Sequence, residues 1–177
     1  MRQVAMLRGI NLGSTRRVPM VELRALFAQA GYADVQTYVQ SGNVVLSSDA
    51  SPAALEREAQ RLISAQFGFD VPVVVRSHQE LAAVVKLNPL GDVAQDPKRY
   101  QVSFLSGELS ADRIAALEAA VAEPERFVAH GRELYAWHPA GVARSKLSTA
   151  LAGKGLGVTA TARNWTTVTT LLEMAGG

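Results

Sequence analysis

The sequence predicts an α+β fold built from two tandem ferredoxin-like plaits, each with the element order βαββαβ. The 177 residues are enough for one large domain or two small ones. Apolar periodicity and turn signals give the order βαββαβ twice, first over residues 3–76 and again over residues 100–161. Pro72 falls in the last strand of the first series, which lies on an edge of a plait, where a proline is tolerated.

The first series is organised around a hairpin. Its predicted elements are a strand at 3–7, a basic, glycine-containing loop at 8–17, a helix from Pro19 to Gly31, strands at 35–40 and 43–47, a helix from Ser51 to Gly68 and a strand at 71–76. Prolines suit the starts of these helices and glycines suit their ends. Gly42-Asn43 suits a two-residue hairpin turn, because glycine takes a positive φ without a Cβ clash; a Ser-Gly bulged turn is the alternative.

A linking helix precedes the second series. Ser77 and Glu80 predict its capping box, and it runs to about Asn88. The second series comprises a strand at 100–105, a helix at 110–122, a hairpin with strands at 126–129 and 134–137, a helix at 145–152, a strand at 157–161 and a final helix capped by Asn164. The predicted domains are therefore residues 1–76, a linking helix and loop at 77–98, and residues 99–177 with the C-terminal helix.

The composition excludes several classes of protein. Cysteine is absent, which excludes disulfides, thiolate metal sites and cysteine nucleophiles. Apolar residues make up 48% and charged residues 19%, which predicts a buried core rather than disorder. No apolar run is long enough to span a bilayer, and Arg8 interrupts the N-terminal segment too early for a signal peptide. We therefore expect a cytoplasmic protein without a membrane partner, and the sequence indicates no metal site and no cofactor.

Charge is distributed unevenly along the chain, although the net charge is only +2. Residues 1–17 carry four arginines and no acidic residue. The only charged residues from 134 to 172 are basic: Arg144, Lys146, Lys154 and Arg163. Two basic segments at opposite ends of the chain could meet in space and attract an anion, or they could be solvated faces.

The plait topology is expected to bring polar residues of the first half together. Strand three returns between strands one and two, so the loop after strand one and the hairpin tip share one end of the sheet. Arg8 and Asn11 are therefore expected near Ser41 and Asn43. A helix is predicted to start close by, and its free N–H groups and dipole favour anions.

The same topology predicts a second cluster in the second half. The approach to its second helix should lie beside the exit of its last strand. The residues expected to meet there are Arg144, Ser145, Lys146, Arg163, Asn164 and Trp165. Helix caps and surface charges would explain the same residues without a ligand, because serine and asparagine are ordinary cap residues.

Four blocks of the chain occur in a fixed order: Leu7-Arg8-Gly9-Ile10-Asn11, the hairpin at 38–45, Ser145-Lys146-Leu147, and Thr161-Ala162-Arg163-Asn164-Trp165. Together they resemble the bacterial domain-of-unknown-function 1697 family, over nearly the whole chain. The resemblance implies a pair of plait-like domains. It implies no activity and no catalytic residue.

Familiar catalytic motifs are absent from the sequence. Gly9 and Gly13 lack the Lys-Ser/Thr ending of a P-loop and the spacing of a dinucleotide-binding motif, and no Gly-x-Ser-x-Gly elbow occurs. His78, His130 and His138 lie far apart, and the last two are interpreted as a turn residue and a strand-end residue. Whether the protein is an enzyme is left open, and no catalytic residue is assigned.

Aromatic residues bear on the nucleic-acid hypothesis. Tyr135 and Trp137 share one face of a predicted strand, because side chains alternate along a strand. RNA-recognition plaits stack bases on such aromatics. Packing in the core is the favoured interpretation, since tyrosine and tryptophan usually give most of their surface to packing.

Three functional hypotheses follow from these residues. The first is a small anionic or phosphorylated ligand bound in a cleft between the plaits, with both clusters facing it and Trp165 as a wall. The second is a nucleic-acid-binding module, and the third is a structural or interaction module whose polar blocks lock the halves together. For a binding site, Arg8→Ala or Arg163→Ala should remove binding and cost about 1 kcal/mol of stability or less. A structural role predicts several times that loss.

Overall fold

The computed structural model describes residues 1–152 and 154–177, which form an α+β fold with two four-stranded antiparallel sheets and six α-helices. The strands are β1 (Arg2–Leu7), β2 (Ala33–Tyr38), β3 (Asn43–Ser47), β4 (Val73–Ser77), β5 (Tyr100–Leu105), β6 (Arg126–His130), β7 (Glu133–Trp137) and β8 (Ala160–Asn164). The helices are α1 (Met20–Gln29), α2 (Pro52–Phe67), α3 (His78–Leu87), α4 (Ala111–Ala120), α5 (Lys146–Ala152) and α6 (Trp165–Gly176).

The first sheet has the order β2-β3-β1-β4, with β1 antiparallel to both neighbours. β3 thus lies between β1 and β2 as predicted, and β4 lies on an edge as predicted, although it begins one residue after Pro72. One face of the sheet packs against α1 and α2 around a core that includes Leu7, Phe27, Leu46, Ile63 and Val75. β1 contributes Ala5 and Leu7 to this core, and Val4 and Met6, which alternate to the other face, are fully buried as well.

The hairpin differs from the two-residue turn predicted at Gly42-Asn43. Tyr38 pairs with Asn43, so the loop is the four residues from Val39 to Gly42. Asn43 is the first residue of β3 and is fully buried, and its Nδ2 donates to the Tyr38 carbonyl at 2.9 Å. The turn prediction was wrong because the Asn43 side chain closes the hairpin from inside instead of lying at its tip.

The termini of α2 follow the sequence signals, whereas the start of α1 does not. Ser51 Oγ accepts a hydrogen bond from the Ala54 N–H, and Gly68 ends α2 at φ +78°. Pro19, predicted at the first helical position, is instead the residue before the helix and has extended backbone angles. It has no side-chain acceptor to offer the first turn of α1, so this helix starts without a side-chain cap.

The capping box of the linking helix is confirmed. The Ser77 N–H donates to Glu80 Oε2 at 2.8 Å, and the Glu80 N–H donates to Ser77 Oγ at 3.2 Å. Each side chain therefore satisfies a backbone donor that the first turn of α3 leaves free. α3 ends at Leu87, one residue before the predicted end.

The second sheet repeats the arrangement of the first, with the order β6-β7-β5-β8. Its helix-side core includes Leu105, Leu117, Leu134, Leu147 and Leu156. β8 covers Ala160–Asn164 instead of the predicted 157–161. Leu105, the last residue of β5, pairs with Ala160, the first residue of β8.

The chain divides into two compact units. One comprises Met1–Ala83 with Thr170–Gly177, and the other comprises Val84–Thr169. The last eight residues, predicted in the second domain, thus belong to the first unit, where Arg2 Nη2 donates to the Met174 carbonyl at 2.9 Å. No helix within residues 1–152 and 154–177 has the length and apolar character needed to cross a membrane.

Candidate functional site

The loop between β1 and α1, residues 8–19, meets the hairpin loop at one end of the first sheet. The Leu7 N–H donates to the Gly42 carbonyl at 2.8 Å, and Asn11 Nδ2 donates to the Gln40 carbonyl at 2.8 Å. The predicted proximity of Asn11 to the hairpin tip is therefore confirmed. We call residues 8–19 the basic loop.

Asn11 holds the basic loop in one conformation. Its Nδ2 also donates to the Val18 carbonyl, its Oδ1 accepts from the Val18 N–H, and both distances are 2.9 Å. Its own N–H donates to the Arg16 carbonyl at 3.2 Å, which closes the segment between them. Asn11 has φ +54°, a left-handed conformation that asparagine tolerates better than most residues. The predicted ligand residue thus has a structural role within the loop.

Arg16 provides a second fixed point, which the sequence analysis did not identify. Its Nε donates to the Gly9 carbonyl at 3.1 Å, and its Nη2 donates to the Asp70 carbonyl at 2.6 Å. The guanidinium also lies 5.1 Å from the centre of the Phe69 ring, a cation–π contact. These contacts hold the Arg16 side chain against Gly9, Phe69 and Asp70.

The remaining residues of the first predicted cluster differ in exposure. Arg8 is half-buried, whereas Arg17 and Ser41 are exposed. Asn43, fully buried, donates to Ser41 Oγ at 3.2 Å as well as to the hairpin backbone. The cluster therefore combines a buried amide that shapes the hairpin with cations at the surface.

The second predicted cluster is arranged around Ser145. This serine is buried, and its Oγ accepts from the Ser148 N–H at 2.8 Å, which caps α5. Its flanking residues, Arg144 and Lys146, are exposed. Ser145 Oγ also lies 2.8 Å from Nδ1 of His138, a buried residue just after β7.

Asn164 and Trp165 have structural contacts at the same end of the second sheet. Asn164 Oδ1 accepts from the Thr167 N–H at 2.9 Å, so the predicted cap of α6 is confirmed. The Trp165 ring stacks on Tyr100 with ring centres 4.8 Å apart. Tyr100 begins β5, and His138 N–H donates to the carbonyl of the preceding Arg99 at 3.0 Å, so both parts of the cluster adjoin the start of β5.

Arg163 is buried, with only 7% of its surface exposed. Its Nη1 donates to Thr161 Oγ1 at 2.8 Å and to the Ala162 carbonyl at 2.9 Å, and burial lowers the pKa of its guanidinium to about 10. Arg76 occupies the matching position of the first sheet and is also fully buried: Val4 pairs with Arg76, and Val102 with Arg163. Sequence reasoning missed Arg76, because alternation alone does not say whether the second face of an edge strand is covered.

The contacts of His138 do not form a catalytic relay. Glu125 Oε1 lies 3.6 Å from His138 Nδ1, the same nitrogen that contacts Ser145. A Ser–His–carboxylate relay requires the serine and the carboxylate to face different ring nitrogens. The strand-end interpretation of His138 is confirmed, and its contact with Ser145 links the end of β7 to the start of α5.

We expect His138 to make the stability of the protein depend on pH. Burial lowers its pKa below the ordinary 6.5, although Glu125 opposes that shift. The unfolded chain then holds more protons than the folded chain below about pH 6.5, so the free energy of unfolding should fall as the pH drops, by at most about 1.4 kcal/mol per pH unit. Urea unfolding at pH 7.5 and 5.5 would measure this loss. His138→Gln should reduce the pH dependence, and an unchanged dependence would contradict the assignment.

The two tyrosines of the second sheet are buried, whereas Trp137 is half-buried. Tyr135 is buried, and its hydroxyl donates to the Val84 carbonyl at 3.0 Å. Tyr100 is also buried, which raises its pKa to about 12, and burial raises the pKa of Tyr135 as well. The core interpretation of Tyr135 is confirmed, so this side chain is not a surface on which bases stack. Among the residues described, no group of three or more histidine and acidic side chains is placed to hold a metal ion.

The comparisons with known proteins agree with the fold. The sequence profile of a family described as "Protein of unknown function (DUF1697)" matches residues 1–135. A solved structure, described as that of conserved bacterial protein SP0830 from Streptococcus pneumoniae, is similar with a TM-score of 0.79 and 22% identity over 98% of each chain. A search of curated proteins gave no match.

Proposed function

Because the chain belongs to the DUF1697 family, whose function is unknown, we infer its function from its own site and propose that it binds a small anionic or phosphorylated ligand at the basic loop. The proposal concerns the end of the first sheet where residues 8–19 meet the hairpin loop. The predicted cleft between the halves, which both clusters would face, stays a prediction. So does a cytoplasmic location.

The length of the basic loop is the observation that carries this proposal. In the first unit the connection from the first strand to the first helix has twelve residues, 8–19, whereas the equivalent connection in the second unit has five, 106–110. The second unit has the same strand order, so it shows that five residues are enough for this connection. Long connections inside compact domains are frequently functional. The additional length is also rigidly organised, since Asn11 and Arg16 fix it with several hydrogen bonds.

The charge of the loop supports an anion as the ligand. Residues 8–24 carry four arginines and one acidic residue, Glu22. Arginine presents a planar fork of donors that matches phosphate and carboxylate geometry. A loop that is already ordered loses little conformational entropy when a ligand binds.

The strand order of each unit, together with its helices, supports a ferredoxin-like plait for both halves. Such plaits leave the loop after the first strand at one end of the sheet. The structural hypothesis has support of its own within the units, because the predicted ligand residues Asn11, Asn43, Ser145 and Asn164 hold their own loops and helix starts. We therefore place the ligand contact on Arg17, the exposed arginine at the end of the loop, instead.

Arg17→Gln is expected to weaken the binding of inorganic pyrophosphate about tenfold or more, because a charge-assisted hydrogen bond is worth about 1.5–3 kcal/mol. Isothermal titration calorimetry measures the affinity. A thermal-shift series provides a second measurement, since a ligand at one hundred times its Kd stabilises the native state by about 2.7 kcal/mol. Arg17 is exposed, so the variant should keep the stability of the parent.

Arg57→Gln is the matched control. It removes the same charge from an exposed position near the start of α2, whereas the end of α2 lies beside the basic loop. The rise per helical residue puts Arg57 about 15 Å from that end. Equal losses in both variants would indicate only a long-range charge effect and would contradict the site. A single-stranded oligonucleotide in the same assay tests the nucleic-acid alternative, whose affinity should fall steeply with salt.

A further inference from the structure

Three of the most exposed large hydrophobic side chains lie around the bonds made by the Asn11 side chain. Leu12, Val21 and Val39 are 87%, 71% and 45% exposed. Each of them is close in sequence to Asn11 or to a residue that its side-chain amide binds. Leu12 directly follows Asn11. Val39 directly precedes Gln40, and Val21 lies three residues after Val18; the carbonyls of Gln40 and Val18 both accept from the Asn11 amide. Among the residues described, only Met1 and Leu87 are comparable exposed hydrophobics elsewhere. We call Leu12, Val21 and Val39 the apolar tip.

The exposure of Leu12 is fixed by the fold of the loop. The Asn11 N–H to Arg16 carbonyl bond closes the segment 11–16, and residues 12–15 project outside that closure as an exposed stretch. Ile10, two residues earlier, is buried and packs in the first core. The fold therefore buries Ile10 and exposes Leu12. Burying the Leu12 side chain would have contributed about 1.5–3 kcal/mol to the free energy of folding, and the structure forgoes that contribution.

We propose that the basic loop docks on the surface of an anionic lipid bilayer, with the apolar tip entering the interface and the arginines contacting lipid phosphates. This inference rests on the proposed anion site and names the source of its phosphate groups. It departs from the expectation of no membrane partner, which concerned spanning segments; docking at a surface requires none.

The shape and charge of this end favour a bilayer over other anionic partners. Leu12, the most exposed residue of the apolar tip, lies on a projecting loop and needs a soft or deeply concave surface to bury it, and a bilayer deforms around such a side chain. The phosphate groups of a nucleic acid could pair with the arginines of the basic loop. A nucleic acid has no apolar surface for Leu12 other than its stacked bases. Apolar side chains ringed by basic residues are the pattern of interfacial binding, in which each cation near an anionic surface adds attraction.

The test is co-sedimentation with unilamellar vesicles of phosphatidylcholine alone and with about one third phosphatidylglycerol. The full chain should bind the anionic vesicles and not the neutral ones. Leu12→Ser should weaken binding to anionic vesicles about tenfold, and Arg17→Gln about fivefold. Leu87→Ser is the matched control, because it makes the same change at an exposed leucine of α3 and should bind like the parent.

Pyrophosphate affinity of the same variants separates this inference from the function on which it rests. Leu12→Ser should bind pyrophosphate like the parent, since it removes no charge, while losing the vesicles. Pyrophosphate binding without binding to anionic vesicles would overturn the bilayer proposal and leave the anion site intact. Equal vesicle binding by Leu12→Ser and the parent would also overturn it. Tighter binding of a duplex oligonucleotide than of vesicles, insensitive to Leu12→Ser, would assign the arginines to nucleic acid instead.

Discussion

Replacing Gly42 with alanine is expected to lower the free energy of unfolding by about 3 kcal/mol. Gly42 lies at the contact between the basic loop and the hairpin, and its φ is +86°. A Cβ at this position would lie 2.6 Å from Ile10 Cδ1 and 2.9 Å from Leu7 Cβ. The Ile10 methyl group could rotate away, but Leu7 Cβ is fixed to a central strand in the core. The substitution therefore combines left-handed strain with a steric overlap that the first sheet cannot relieve.

Gly68→Ala separates these two contributions. Gly68 has φ +78°, close to that of Gly42, but nothing lies within 4 Å of the position that its Cβ would occupy. The free energy of unfolding of this variant should fall only by the cost of the left-handed backbone conformation, about 1–2 kcal/mol. Urea unfolding of the two variants and the parent gives the comparison. Equal losses would mean that the loop and the hairpin do not pack as tightly as these distances indicate.

Local signals in the sequence predicted the fold well. Cap residues, glycines and apolar periodicity depend on a few neighbouring residues, so the Ser77–Glu80 box, the Ser51 cap and the bounds of β5 could be predicted from the chain alone. The strand order followed as well, because short connections restrict how four strands and two helices can be arranged. Pro72 added an independent indication of which strand lies at the edge.

The roles of individual polar residues could not be predicted in the same way. Asn11 and Asn43 were correctly expected near the hairpin, yet their amide groups bond to backbone inside the structure. Whether an asparagine faces a ligand or its own backbone depends on side-chain direction and burial, and neither is encoded by local spacing. The hairpin loop illustrates the consequence: Asn43 lies in β3, paired with Tyr38 at the end of β2, so the connection is a four-residue loop instead of a two-residue turn.

Long-range burial explains the other differences. Leu12 and Ile10 are both aliphatic residues of one loop, but only the tertiary fold makes one exposed and the other buried. His138 was interpreted as a strand-end residue, and that position held; its contacts with Ser145 and Glu125 link the end of β7 to the start of α5 and to the residue before β6. Such contacts become visible only when the register of the strands is known.

Arg163→Ala is expected to lower the free energy of unfolding by about 3 kcal/mol, more than the 1 kcal/mol that suits an exposed binding residue. Arg163 is buried, and the variant would lose the hydrogen bond that Arg163 Nη1 donates to Thr161 Oγ1 at 2.8 Å. It would also leave a cavity beside β8. Arg144→Ala is the control, because Arg144 is exposed in the same unit and its loss should cost about 0.5 kcal/mol or less.

Arg163→Met distinguishes packing from charge at this position. Methionine fills much of the same volume without the cost of burying a guanidinium, the cost that also lowers the pKa of Arg163 to about 10. If packing dominates, the methionine variant should recover most of the stability that the alanine variant loses, as measured by urea unfolding. If the hydrogen bonds to Thr161 and Ala162 dominate, both variants should be equally destabilised. A loss in Arg163→Ala no larger than in Arg144→Ala would contradict a structural role and return Arg163 to the set of candidate ligand residues.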